Sequence, residues 1–88
     1  MVNEWFRRAV VGLGGLEGWR VSEHPSGGLL VTQAGVEEVS VLLVVKSDGV
    51  EFFIDNTVTR ICSGVFKPWL DSGVESVLTG LFILGSGL

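Results

Sequence analysis

Cysteine occurs once in this chain, at Cys62, so no intrachain disulfide can form and the chain is not built as a stapled secreted scaffold. A reducing, cytoplasmic setting fits that usage. Histidine also occurs once, at His24, and no cysteine, histidine or carboxylate stands at ligand spacing around it. The sequence therefore points to no metal site and no cofactor. Cations are scarce: six Lys and Arg against ten Asp and Glu leave a net charge of −4. Six scattered cations cannot form the basic stripe that displaces counterions from phosphates, so nucleic acid is not an expected partner. Ten carboxylates spread along the chain leave nucleic-acid mimicry toward a basic partner only a minor reading. The uncharged run at residues 76–88 is shorter than the ~17 to 25 residues a membrane-spanning helix needs, so no membrane partner is expected. Arg7-Arg8 followed by AVVGLGGL has the outline of a signal peptide. Glu4 precedes the arginines and no small-x-small cleavage site follows, so these residues are read as helix.

Catalytic signatures are missing as well. Cys62 and His24 could be imagined as nucleophile and base, but neither sits in a local signature for that chemistry. Cys62 is read as a buried structural thiol and His24, beside Pro25, as a turn residue. The glycines of Gly12-Leu13-Gly14-Gly15 follow a helix and precede a strand, the reverse of a phosphate-binding loop, and Glu17 occupies the place of the third glycine in a dinucleotide fingerprint. Glu37, Glu38, Asp48, Asp55 and Asp71 fall on alternating strand faces, in turns and at helix starts, where they solvate and cap. No enzyme is expected.

What the chain has in excess is apolar side chains. Hydrophobic residues make up 47% and charged residues 18%, against roughly 25% charged in an average domain, so in one domain of 88 residues some apolar groups must lie at a surface or an interface. The organising stretch is Val39 to Asp55, VSVLLVVKSDGVEFFID. Asp48-Gly49 suits a two-residue type I′ hairpin loop, which sets Lys46 opposite Glu51, Val45 opposite Phe52 and Leu43 opposite Ile54. One face of that hairpin carries Val39, Val41, Leu43, Val45, Phe52 and Ile54, and the other Leu42, Val44 and Phe53 beside Lys46 and Glu51. Both faces call for cover.

Before the hairpin, Val2, Trp5, Phe6, Ala9, Val10 and Leu13 recur at helical spacing, with Asn3 as cap and a left-handed cap in Gly12 to Gly15. Trp19 to His24 and Leu29 to Ala34 alternate as two strands around a Pro25-Ser26-Gly27-Gly28 turn. Residues 56–70 combine strand composition at Thr57-Val58-Thr59-Arg60-Ile61 with helical spacing of Val58, Ile61, Cys62, Val65, Phe66 and Trp69. The spacing predicts a short helix capped by Asn56 or Thr57 and stopped by Gly64 and Pro68. Ser72-Gly73-Val74-Glu75 is a capping box opening a last helix, with a stripe of Val74, Val77, Leu78, Leu81 and Phe82 and an end at Gly85.

The expected fold is α+β, a two-layer sandwich in which a four-stranded antiparallel meander carries the N- and C-terminal helices on one face, as a single domain over residues 1–88. The expected function is a non-catalytic protein–protein interaction module. It would pair with itself as a homodimer, and recognise another protein, through the sheet face the helices leave bare: Leu42, Val44 and Phe53, or else Val41, Leu43 and Ile54, joined by Trp69 from the loop after Pro68. A second reading is a small apolar ligand held between sheet and helices by Trp19, Phe52 and Phe66. A third is a small acidic accessory or inhibitor of the kind viruses and mobile elements encode, which size and acidity alone suggest.

Overall fold

A computed structural model of the chain describes residues 4–58, 61–67 and 73–86. The elements run α1 (Glu4–Leu13), β1 (Trp19–Glu23), β2 (Leu29–Gln33), β3 (Val36–Val45), β4 (Val50–Asn56), β5 (Ile61–Phe66) and α2 (Val74–Ser86). The five strands form one antiparallel sheet in chain order, a meander in which each strand bonds to the next. Strand alternation sends Leu29, Val31, Val39, Val41, Leu43, Val50 and Ile54 to one side, where all seven are fully buried beneath Phe6, Val10 and Leu13 of α1 and Leu78 and Phe82 of α2. Each such side chain contributes about 1.5–3 kcal/mol by leaving water, so this helix-covered face is the core that holds the two layers together.

Aromatic edges tie the layers further. Phe6 meets Trp5 and Phe66 edge-on at 5.8 and 5.6 Å between ring centroids. Trp19 meets Phe82 at 5.6 Å, and its indole N–H donates to Glu75 Oε2 at 3.2 Å, linking β1 to α2. At the other end of α2, Asn56 is buried and its Nδ2 donates to the Gly85 carbonyl at 2.8 Å, while its Oδ1 accepts from the Val58 N–H at 2.9 Å. Asn56 thus caps a helix, but the last turn of α2 rather than the start of a helix of its own. Gly85 does not end α2. It lies so close to the sheet that a Cβ there would come within 2.6 Å of Ile54 Cγ2 and 2.9 Å of Val39 Cγ1.

The helix expected in residues 56–70 is a strand instead, β5, paired antiparallel to β4 from Val50↔Phe66 to Asp55↔Ile61, and the sheet has five strands rather than four. The side chains that share helical spacing have different fates: Val58 and Val65 are exposed, whereas Cys62 and Phe66 pack against the core. Gly64 is no helix stop. It sits beneath the Phe52 ring, where a Cβ would approach Cζ to 2.6 Å, so its missing side chain makes room for the ring.

The central hairpin also differs from expectation in its loop. Val45 pairs with Val50, Leu43 with Phe52 and Val41 with Ile54, which leaves four residues, Lys46 to Gly49, in a loop closed by Lys46 N–H to the Gly49 carbonyl at 2.9 Å. No residue other than Gly18, Gly27 and Gly35 among those described has positive φ, so the type I′ geometry is not adopted at Asp48-Gly49. The pairing is displaced by two residues, which returns every side chain to the face the alternation predicts and lets Val50 join the core. Lys46 and Glu51 still form an ion pair. The left-handed cap expected in Gly12 to Gly15 is absent too: α1 unwinds through three successive i→i+3 bonds, from Gly14, Gly15 and Leu16, and the chain turns into β1 at Gly18, φ 92°. Asn3, Val2, Pro68, Trp69 and Ser72 lie outside the described residues.

Candidate functional site: the open face of the sheet

Alternation that buries one side of the sheet must deliver the intervening residues to the other, and no helix among the described residues lies there. The registers arrange that open face in three rows across the strands. The middle row reads Ser22, Leu30, Leu42, Phe53, Ser63. Beside it on one side run Arg20, Thr32, Ser40 and Asp55, ending at the Ile61 position, and on the other Val44, Glu51 and Val65. The apolar members form a continuous patch from β2 to β5: Leu30, Leu42 and Val44 are half-buried by one another, Phe53 is 37% exposed and Val65 66%.

Gly28 deepens this patch. A Cβ there would lie 2.8 Å from the Leu43 carbonyl oxygen and 3.0 Å from Leu42 Cδ1, so Leu42 and Val44 lean over bare backbone where a side chain would have lifted them. Leu42, Val44 and Phe53, expected to share a face, lie on this one together, while the alternative set, Val41, Leu43 and Ile54, is buried on the helix-covered side. Leu30 and Val65 share the same side by the alternation of β2 and β5, and neither was assigned to it: the sequence leaves the pairing of the first two strands open, and β5 has the spacing of a helix. Trp69 lies outside the described residues.

Charge sits at the margins. Lys46 and Glu51 pair with each other, and the hydrogen bond and charge of the Glu51 carboxylate raise the Lys46 ammonium above its ordinary pKa of 10.5. Arg20 on β1 and Asp55 on β4 are both exposed and form no ion pair among the described residues. They occupy the same row, three strands apart.

The remaining candidates are placed differently. His24 Nδ1 accepts from the Ser26 N–H at 3.2 Å and lies 2.8 Å from the Ser26 hydroxyl, inside the β1–β2 turn. Cys62 is half-buried on the helix-covered side, opposite Ile54. No three His, Cys, Asp or Glu side chains come together as a metal-binding group among the described residues. Trp19, Phe52 and Phe66, the expected lining of a ligand cavity, pack against Phe82, Gly64 and Phe6. Two shallow pockets, of about 220 Å³ at Arg20, Thr32 and Glu37 and about 200 Å³ at Val36, Phe82 and Ile83, contain none of the three. No helix among the described residues is long and apolar enough to cross a membrane. No protein-family model, curated protein or solved structure matches the chain.

Proposed function

We propose that this chain is a non-catalytic protein–protein interaction module that pairs with a second copy of itself through the open face of its sheet. One observation carries the reading: Leu30, Leu42, Val44, Phe53 and Val65 form one patch on a face that neither helix covers, in a chain with few charges to spare. Burying such a patch against its own copy removes apolar area from water on both partners at once, and sheets stacked face to face at ~10 Å interdigitate their inward side chains as a sandwich does. Five strands ~4.8 Å apart and three rows of alternate residues give a face of roughly 400 Å² in projection. That is a small interface beside the ~800 Å² per partner of standard complexes, so the pairing is reversible and concentration-dependent.

Static light scattering or sedimentation across a dilution series tests this directly. The expected result is a dimer that dissociates on dilution, with the midpoint moved to higher concentration by Phe53→Ala and left in place by Val58→Ala, an exposed residue beyond the end of β4. A monomer at every concentration, or equal effects of the two variants, overturns the proposal.

A further inference from the structure

We infer that the pocket beside the β2–β3 turn binds a small zwitterionic amino acid, with Arg20 holding its carboxylate and Glu37 its ammonium group. This goes beyond self-pairing and does not rest on it, because no residue of the pocket belongs to the apolar patch.

The pocket has a local cause in the sheet. Thr32 pairs with Ser40 but Gln33 pairs with Val36, so Glu37, Glu38 and Val39 bulge from β3 with no residue of β2 opposite them. A bulge re-aims the side chains it carries. Val39 is fully buried and Val36 packs against the same core, so the two carboxylates between them both emerge, and both are exposed. Across β2, Arg20 stands opposite Thr32 on the edge strand β1. Arg20 and Glu37 thus flank β2 from strands ~10 Å apart, and with Thr32, Gln33 and Ala34 they line one cavity of about 220 Å³.

Opposite charges that line one small cavity without meeting leave room for a ligand between them. Among the described residues, neither the Arg20 nor the Glu37 side chain has an ion-pair or hydrogen-bond partner. A direct pair between two such exposed groups would be weak. A guanidinium fork matches a carboxylate through two parallel N–H bonds, and a carboxylate accepts from an ammonium group. Thr32 and Gln33, on the strand between, supply a hydroxyl and an amide. A carboxylate without an amine is repelled by Glu37 and an amine without a carboxylate by Arg20, so the cavity favours a molecule that carries both. The other acids nearby, Glu38 on β3 and Asp55 on β4, are exposed and lie farther from β1 than β2 does. They reinforce the ammonium end and leave the Arg20 end to the anion. At ~30 Å³ per water-sized group the cavity holds roughly seven, which suits alanine, serine or valine rather than a drug-sized ligand.

Amide NMR of the isotope-labelled full chain, titrated with L-alanine, tests this, with propionate and ethylamine as probes that each carry one of the two charges. Phe53→Ala is titrated beside the native chain, so that a copy stacked on the open face cannot hide the cavity. The expected result, in either chain, is saturable binding of L-alanine in about the millimolar range, with shifts centred on Arg20, Thr32, Gln33 and Glu37. Propionate and ethylamine are expected to bind at least about tenfold more weakly. Glu37→Gln and Arg20→Gln are each expected to weaken L-alanine about tenfold and to act oppositely on the probes. Glu37→Gln strengthens propionate alone, and Arg20→Gln strengthens ethylamine alone. Both residues are exposed, so neither exchange endangers the fold. The inference is overturned by no saturable shift in either chain, by shifts centred elsewhere, by a single-charge probe bound as well as L-alanine, or by variants that leave the order of the three unchanged. Each of these results leaves the proposed function standing.

Discussion

Besides Gly28, two glycines among those described are positions where a neighbour occupies the space a side chain would take. At Gly85 the intruders are Ile54 and Val39, both fully buried, and at Gly64 the Phe52 ring. Ala at Gly85 forces α2 off the sheet and is expected to cost about 1–3 kcal/mol, read as a drop in the chemical-denaturation midpoint, even though alanine is the better helix former. At Asn56 the argument is about hydrogen bonds. Asn56→Leu strands the Gly85 carbonyl and the Val58 N–H together and is expected to cost about 1–3 kcal/mol by the same measurement. Lys46 supplies a pH dependence. Its folded pKa is raised by Glu51, so its contribution is complete below the ordinary value of 10.5 and is lost as pH rises through the raised one. Lys46→Met is expected to flatten that alkaline decline and to lower the neutral plateau by the same small amount, small because the pair is exposed. The Lys46–Glu51 pair was legible in the sequence, but the roles of Gly85, Gly64 and Asn56 were not. Composition marks Gly85 and Gly64 as breakers and Asn56 as a helix starter, and only the approach of a distant element reveals why each is there.

At the level of elements, what could be read in advance followed the strength of the periodic signal. α1 and α2 carry stripes at helical spacing, and the strands from Trp19 to Asp55 alternate, so their existence and order were legible. β5 was not, because ICSGVF is short and its alternation is interrupted by Gly64, while a chance helical spacing links it to its neighbours. The hairpin loop failed for a related reason. Asp48-Gly49 favours a tight turn by a fraction of what burying Val50 contributes, and a displacement of two residues satisfies the core without changing faces. That invariance is why Leu42, Val44 and Phe53 could be grouped on one face from a wrong register. β3 bonds to strands on both sides, whereas β1 and β5 are the sheet's edges. Amide hydrogen exchange should therefore be slowest in Val39 to Leu43 and faster in Ile61 to Phe66. Equal protection of β3 and β5 would mean that the β5 edge is covered by something other than β4.

For the molecule as a whole, the expected consequence of self-pairing is linkage. A dimer that forms only from folded chains is stabilised by mass action, so its thermal midpoint should rise with protein concentration and lose that dependence in Phe53→Ala. Solution scattering offers a second reading, since a single copy has a Cα radius of gyration of 12.1 Å and a pair must exceed it until dilution separates the copies. How the candidate site arises was legible at this scale from a simple surplus: two helices cover one side of an apolar sheet, and 18% charged residues are too few to make the other side hydrophilic. Which side the helices cover was not legible, because both sides of the central hairpin are apolar and either could have met them. The polar bonds at the two ends of α2 have an effect beyond holding that helix down. With Glu75 fastened to Trp19 on β1 and Gly85 to Asn56 on β4, α2 braces the sheet like a strut, and the strands between cannot fan or flatten independently. The far side of the sheet is thereby held in a fixed curvature before any encounter, so little freedom is left to lose when something settles against it.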